Sequence, residues 1–126
     1  MLNNKQIGSD FEREMCRILA ENGYWVHFMS PDRRGAQPFD LIFVKNGLAM
    51  AADCKTCDDP IFRISRLEDN QIMAFEKWIS CGNLDPVIYV KHDGRVFMVK
   101  YKDLKEKTKV RLDEGRMICD LRSETK

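Results

Sequence analysis

The sequence lacks any long hydrophobic run. None of its apolar segments, in a chain of 126 residues, approaches the ~20 residues that a membrane-spanning helix requires. The N-terminal segment also lacks the apolar core of a secretion signal, so we expect a cytoplasmic protein with no membrane partner. Internal repeats, low-complexity stretches and long linkers are absent too. The length therefore indicates a single domain over residues 1–126 with one hydrophobic core.

An excess of charge of either sign is also missing, because 21 basic residues are balanced by 20 acidic ones. Overall charge therefore does not indicate nucleic-acid binding, and any such contact must come from local clusters. The candidate clusters are Arg33 with Arg34, Arg63 with Arg66, and the lysine-rich stretch 100–111. The alternative for each cluster is an ordinary solvated surface.

Cysteine follows no clear pattern, and histidine is scarce. Five cysteines form an odd, scattered set, which in a reducing compartment predicts free thiols. Cys54 and Cys57 alone have the CxxC spacing of zinc and redox sites. No second pair of Cys or His occurs at a matching spacing, and His27 and His92 stand alone. A zinc or redox module centred on this CxxC is thus an alternative hypothesis that lacks further ligands.

The first half of the chain predicts a helix followed by three strands. Apolar residues recur with helical spacing between Phe11 and Leu19, which predicts a helix over 4–21 that ends at Asn22-Gly23. Residues 24–29 are predicted to form a strand, and 30–38 a loop. Segments 39–45 and 48–55 flank Asn46-Gly47, the strongest short signal for a β-hairpin.

In the second half, a loop is predicted over 56–64. The pattern of Ser65 and Glu68 predicts a capping box, with Ser65 as the N-cap of a helix that runs to about Ser80. Strands are predicted over 86–91 and 95–100, and a short helix over 101–107, followed by a poorly defined tail. The predicted order is α-β-β-β-α-β-β, which indicates a mixed α/β domain.

The predicted hairpin brings two carboxylates together. A two-residue turn at Asn46-Gly47 pairs Lys45 with Leu48, and Asp40 and Asp53 each lie five residues outward from that pair. They are therefore expected to face each other with Cβ atoms ~4.5–5.5 Å apart. Two like charges at that separation need a compensating cation, and Mg²⁺ suits one or two carboxylates with several waters. A shift of the register by one residue would separate them.

Three further polar residues fit the same site. Lys55 points to the same face as Asp53, where an ammonium group can stabilise charge on a phosphate; the alternative is a surface lysine that only neutralises the acids. Gln71 interrupts the apolar stripe of the second helix, so it is expected to face inward, at the site or as a satisfied core glutamine. Glu12 either reaches the site from the first helix or forms a surface pair on it.

These residues resemble the PD-(D/E)XK nuclease superfamily, through Pro38-Phe39-Asp40 and then Asp53-Cys54-Lys55. The start motif Gly8-Ser-Asp-Phe-Glu12-Arg13-Glu14 is similar to the Holliday-junction resolvase branch, of the archaeal Hjc type and the RecU type. The resemblance spans about residues 5–100. One departure is Asp53, where these resolvases usually carry Glu.

The resemblance implies a restriction-endonuclease-like fold with a central mixed β-sheet flanked by helices. It also implies a homodimer that makes paired symmetric nicks in four-way DNA junctions by metal-activated water, with Mg²⁺ as cofactor and Mn²⁺ able to replace it. The implied metal ligands are Asp40, Asp53 and the backbone carbonyl of Cys54. The implied catalytic set is Asp40, Asp53, Lys55, Glu12 and Gln71. The candidate DNA-binding residues are Arg13, Arg33, Arg34, Arg63 and Arg66.

Two other hypotheses share this fold. One is a phage or mobile-element nuclease of the same superfamily that does not prefer four-way junctions. The other is a non-catalytic DNA-binding module, which the loss of an acid or of the lysine would have favoured. Both acids and the lysine are present, so the endonuclease is the leading hypothesis.

Overall fold

A computed structural model of the chain describes residues 4–29 and 39–124, with side chains for 10–29 and 39–122. The helices of these residues are α1 (Asn4–Glu21), α2 (Asp69–Ser80) and α3 (Tyr101–Lys107). The strands are β1 (Trp25–Phe28), β2 (Leu41–Lys45), β3 (Leu48–Thr56), β4 (Ile61–Arg63), β5 (Val87–His92), β6 (Arg95–Lys100), β7 (Lys109–Arg111) and β8 (Arg116–Asp120). Short 3₁₀ turns span Ile64–Arg66, Leu112–Glu114 and Leu121–Glu124.

The described strands form a six-stranded sheet in the order β1-β2-β3-β5-β6-β8 and a two-stranded sheet of β4 and β7. In the larger sheet β3 and β5 are parallel and the other neighbours are antiparallel. The connection between the two parallel strands contains β4 and α2, as a parallel pair requires a long crossover. The predicted central mixed sheet flanked by helices is therefore confirmed.

The β2–β3 hairpin has the predicted turn and register. Asn46 and Gly47 both have positive φ angles, 54° and 78°, as a type I′ turn requires. Lys45 pairs with Leu48, and the ladder continues without a slip to Leu41 and Ala52. The register that places the two acids at the far end of this hairpin is thus the observed one.

Two hydrophobic clusters cover the two faces of the large sheet, where the sequence predicted one core. The first cluster joins α1 to alternate residues of β3 and β5, and includes Phe11, Ala52 and Tyr89. The second packs α2, α3 and the small sheet against the other face, and includes Phe75 and Ile88. Because β3 is covered on both faces, a charged residue within it is placed in apolar surroundings. No helix in the described part of the chain is long and apolar enough to cross a membrane.

Several elements differ from the predicted order. The predicted loop 56–64 contains β4, and the predicted tail contains β7 and β8. Strands of three residues are too short to show an alternating pattern, and the partner of β4 is far along the chain.

The predicted N-cap of α2 is wrong. Glu68 is the N-cap, its side chain accepts a hydrogen bond from the backbone of Gln71, and the Gln71 side chain accepts one from the Glu68 backbone. Ser65 lies in the preceding 3₁₀ turn, which ends just before Leu67 enters the core with 5% of its surface exposed. Burial of Leu67 therefore delays the start of the helix.

Candidate active site

Asp40 and Asp53 lie together where β3 continues beyond the end of β2. The paired ladder stops at Leu41 and Ala52, one residue short of both acids, and the Asp40 amide donates to the Ala52 carbonyl over 3.0 Å. Oδ2 of Asp40 accepts a hydrogen bond of 2.7 Å from the Cys54 amide. The Asp40 carboxylate thus accepts a hydrogen bond from β3 that a neighbouring strand would otherwise accept. This bond fixes the carboxylate beside Asp53.

The Asp53 carboxylate is fully buried, and the Asp40 residue is 4% exposed. Among the described residues, neither oxygen of Asp53 has a partner with hydrogen-bond geometry, although Nζ of Lys55 lies 3.3 Å from Oδ2 as an ion pair. Burial, and then the negative charge of Asp40, raise the pKa of Asp53 to about 8, while Lys55 opposes the rise. A buried carboxylate beside a second carboxylate is a group that gains by binding a proton or a cation.

Lys55 is held between Asp53 and the start of α2. Its Nζ donates to Oε1 of Gln71 over 3.2 Å, and the same oxygen accepts a hydrogen bond of 2.9 Å from the backbone amide of Glu68. Gln71 is 8% exposed, so the prediction that it faces inward is confirmed. The side-chain oxygen of Gln71 links the first turn of α2 to Lys55. Gln71 is therefore both a buried residue and a neighbour of Lys55.

Glu12 reaches the same group of residues from α1. It is half-buried, and its pKa is raised to about 7, first by burial and then by the charge of Asp40, while Lys55 and Arg13 oppose the rise. Glu12 thus lies close enough to Asp40 and Lys55 for its charge to interact with theirs, and its role at the site stays a prediction. Charge at one of these acids therefore affects the protonation of another.

Cys16 is a neighbour of the site that the sequence analysis missed. It is partly buried on α1, and burial, followed by the charges of Glu12 and Asp40, raises its pKa. The available signal was its position one helical turn after Glu12, which places the two side chains on the same side of α1.

The acid pair fits a hard divalent cation. Within the residues whose side chains are described, no group of three or more His, Cys, Asp or Glu could hold a metal ion. Mg²⁺ does not need one, since it binds through one or two carboxylates and keeps several waters. Asp40 and Asp53 supply those carboxylates, and the oxygens of Asp53, which make no hydrogen bond to the described residues, are available to a cation or a proton. The role of the Cys54 carbonyl stays a prediction.

Zinc is not favoured at the CxxC. The side chain of Cys54 belongs to the α1 cluster and that of Cys57 to the cluster on the opposite face of the sheet. Two thiolates on opposite faces of a sheet do not converge on one tetrahedral ion. Both cysteines are free thiols, as predicted.

The candidate DNA-binding arginines are placed unequally. Arg13 is exposed on α1, next to Glu12, and Arg63 is exposed on β4. Arg66 is exposed, and it donates to the carbonyl of Thr56 over 2.8 Å, directly after Lys55 in sequence. Arg33, Arg34 and the predicted loop 30–38 lie outside the described residues. The DNA contacts of all five arginines stay predictions.

Comparison with known proteins identifies the family. The family model described as archaeal Holliday junction resolvase (Hjc) matches residues 3–123. The crossover junction endodeoxyribonuclease Hjc of Methanocaldococcus jannaschii is 28% identical over 92 residues, which are 73% of this chain and 64% of that protein. This chain therefore spans less than two thirds of that relative's length.

The fold agrees with this result. The solved structure of Archaeoglobus fulgidus Hjc, titled a Holliday junction resolvase from an archaeal hyperthermophile, superposes with a TM-score of 0.66. The match covers 91% of this chain and 98% of that one at 14% identity, so it bears on the fold alone. The match to the family model, which runs almost from end to end, confirms the resemblance drawn from the motifs. This chain belongs to the archaeal Holliday junction resolvase family.

Proposed function

We propose that this chain is a divalent-metal-dependent DNA endonuclease that cuts four-way junctions by hydrolysis of phosphodiester bonds. The observation that carries the proposal is the buried acid pair, Asp40 and Asp53, which lies beside Lys55. The names of the family and of the M. jannaschii relative support the four-way junction as substrate. Mg²⁺ is the proposed cofactor, with Mn²⁺ able to replace it.

Asp40 and Asp53 would hold the metal ion, with the Cys54 carbonyl as a further oxygen ligand. When bound, the ion supplies positive charge for the phosphate and makes water a better nucleophile at neutral pH. The apolar surroundings of β3 strengthen the attraction between this site and a cation. They also exclude other hydrogen-bond donors from Asp53, which leaves its oxygens available.

Lys55 places a positive charge where negative charge develops on the phosphate. Its ammonium group is held from two sides, by Oδ2 of Asp53 at 3.3 Å and by Oε1 of Gln71 at 3.2 Å. A donor fixed before the reaction stabilises the transition state without reorganisation. Gln71 therefore acts by positioning Lys55, while the capping box anchors Gln71 to the backbone.

Glu12 is the group suited to hold or release a proton. Its pKa of about 7 lies near the operating pH, where a general acid or base is most effective. Its interaction with Asp40 means that cation binding at the acid pair lowers the pKa of Glu12 and favours release of its proton. Arg13, beside it on α1, is a candidate contact for the scissile strand.

Resolution of a junction needs two cuts related by symmetry. We propose that residues 1–126 act as a single nuclease domain and that two copies form a C₂ dimer, which places two active sites in the required relation. Sedimentation equilibrium measures this directly, and a strictly monomeric protein at concentrations that give full cleavage would contradict the dimer.

The test is cleavage of a labelled four-way junction and of a linear duplex with the same sequence arms, in Mg²⁺ and in EDTA. The account predicts paired symmetric nicks in the junction that need Mg²⁺ and are lost in Asp53→Asn. Asp58→Asn is the matched control, because Asp58 is an exposed carboxylate in the bend that follows β3. Equal cutting of both substrates would indicate a nuclease without junction preference, and no cutting with any divalent ion would indicate a DNA-binding module.

A further inference from the structure

The two-stranded sheet of β4 and β7 has one apolar face and one basic face. Phe62 pairs with Val110, and both side chains pack into the core. On the other face Arg63 lies opposite Lys109, and Ile61 lies opposite Arg111. We call this outer face, formed by Arg63, Lys109 and Arg111, the basic ribbon.

Arg63 and Lys109 form a like-charged pair without a counterion. Both are exposed, and the structure gives neither an ion pair nor a side-chain hydrogen bond to the residues that it describes. Like charges directly opposite each other on antiparallel strands destabilise the pairing. Arg111 differs, because Asp113 lies at 3.0 Å and Glu114 at 3.4 Å from its guanidinium. The uncompensated charge is therefore concentrated on Arg63 and Lys109.

The basic ribbon is joined to the candidate active site by one short turn. The 3₁₀ turn Ile64–Arg66 follows β4 directly, and its three residues advance the chain by about 6 Å. At the end of this turn the Arg66 guanidinium is bound to the carbonyl of Thr56, the residue after Lys55. The turn that follows β4 is therefore fixed to β3 at Thr56, three residues beyond Asp53.

The basic side chains continue beyond the ribbon. A cleft of about 730 Å³ runs along β7, and Lys100, Lys107 and Lys109 are among its lining residues. Arg111 and Arg116 also line it, as do Asp103 and Glu114, so its lining carries more basic than acidic side chains. A chain of phosphates that leaves the active site along this direction would meet the ribbon first.

We propose that the basic ribbon binds the phosphate backbone of the DNA arm whose strand is cut, with Arg63 and Lys109 each neutralising one phosphate. This inference rests on the proposed function, since it takes DNA as the substrate. Duplex DNA carries one negative charge per ~1.7 Å of its axis, so a duplex arm presents several phosphates within the reach of two long basic side chains. The ribbon thus contributes affinity independent of base sequence, apart from the catalytic groups.

The test is the salt dependence of junction binding in EDTA, measured for wild type and for the double variant Arg63→Gln with Lys109→Gln. Each lost phosphate contact lowers the slope of log K against log salt by ~0.9, so the double variant should lose about 1.8. The charge-matched control is Lys45→Gln with Lys77→Gln, which removes two exposed lysines from the end of β2 and from α2, outside the candidate basic clusters. The control should keep the wild-type slope.

Cleavage over a range of junction concentrations separates this inference from the proposed function. The double variant should need a higher junction concentration for half-maximal cleavage, because the ribbon contributes affinity. Its thermal midpoint should equal or exceed that of wild type, because a repulsive pair is removed. The proposal that the ribbon binds phosphates would be contradicted by a wild-type slope in the double variant or by an equal loss of slope in the control. A lowered thermal midpoint in the double variant would contradict it too. If the wild-type protein binds junctions without cutting them, the proposed nuclease activity is wrong. The salt dependence of binding then still tests whether the ribbon contacts phosphates.

Discussion

Two pairs of like charges meet beside antiparallel strands in this protein, and they differ in their access to water. Asp40 and Asp53 lie at the end of the β2–β3 hairpin, almost completely buried, whereas Arg63 and Lys109 lie on the exposed face of the basic ribbon. Burial is the largest cause of the rise of the Asp53 pKa to about 8. At the ribbon, water and salt screen the repulsion, so the charge remains and acts at a distance.

Two like charges on neighbouring strands can therefore serve either to bind a cation or to bind a polyanion. A buried like-charged pair couples folding, protonation and cation binding at one point. An exposed pair leaves the fold almost undisturbed and offers its charge to a polyanion. Variants that remove a charge should therefore have large and specific effects in the hairpin and small, salt-dependent effects in the ribbon.

The largest expected effect is that of Asp53→Asn on cleavage. The change removes a negative charge and a cation ligand while keeping the side-chain shape, and we expect the single-turnover rate to fall on the order of 10³-fold. The measurement is junction cleavage under saturating protein, with Asp58→Asn as control. An Asp53→Asn variant that cuts at the same rate as this control would contradict the assignment of Asp53.

Lys55→Met should have the next largest effect. It removes the ammonium group beside Asp53 but keeps much of the apolar stem, and a loss of about 10²–10³-fold in rate is expected. Because Lys55 lowers the pKa of Asp53 and Glu12, any rise of the rate with pH should also move to higher pH in the variant. Lys77→Met, at an exposed position on α2, should change neither the rate nor its pH profile.

Gln71 should show an intermediate effect that reports on positioning. Gln71→Leu keeps the volume but removes the oxygen that accepts from Lys55 and from the Glu68 amide, and we expect a loss of roughly 10–100-fold in rate. Gln71→Glu keeps an acceptor and should recover part of that loss. Equal rates for the two variants would show that the hydrogen bond to Lys55 does not matter for cleavage.

The last effect concerns stability against pH without metal, and not the rate. The pKa of Asp53 is raised from 3.8 to about 8 in the folded protein, so the folded state holds a proton that the unfolded state loses. Stability is therefore greatest below about pH 4 for this group and falls as the pH rises towards 8, by on the order of 5 kcal/mol at about 1.4 kcal/mol per pKa unit. Glu12 acts with the same sign up to its pKa of about 7.

Urea denaturation in EDTA at several pH values between 4 and 9 measures this slope. Asp53→Asn should be more stable than wild type at pH 8 and should show a flatter profile, because its side chain does not ionise. A wild-type profile that rises across the same range would contradict the raised pKa of Asp53.

The hairpin site was predictable because its information is local. Asn46-Gly47 specifies the turn, the turn specifies the register, and the register carries Asp40 and Asp53 to the same end of the hairpin. The inward position of Gln71 followed from helical spacing in the same way. What the spacing did not show is that the ladder stops one residue short of the acids, so that the Asp40 carboxylate accepts from the Cys54 amide.

The basic ribbon was not predictable from the same kind of pattern. Arg63 and Lys109 meet only through tertiary pairing of two strands of three residues each, and such strands are too short for alternation to be recognised. The start of α2 was misplaced for a related reason, because burial of Leu67 outweighs the capping preference of Ser65. The local capping preference of a residue is overridden where a neighbouring residue must be buried in the core.

The central claim is that the buried acid pair is a divalent-cation site, and calorimetric titration of the protein with Mg²⁺ and Mn²⁺ tests it most directly. At pH 7 Asp53, with a pKa of about 8, is largely protonated, so binding should release about one proton. Titrations in buffers of different ionisation enthalpy measure that number. Saturable binding with proton release, lost in Asp53→Asn and kept in Asp58→Asn, is the predicted result; absence of binding, or equal binding by Asp53→Asn, would contradict the account.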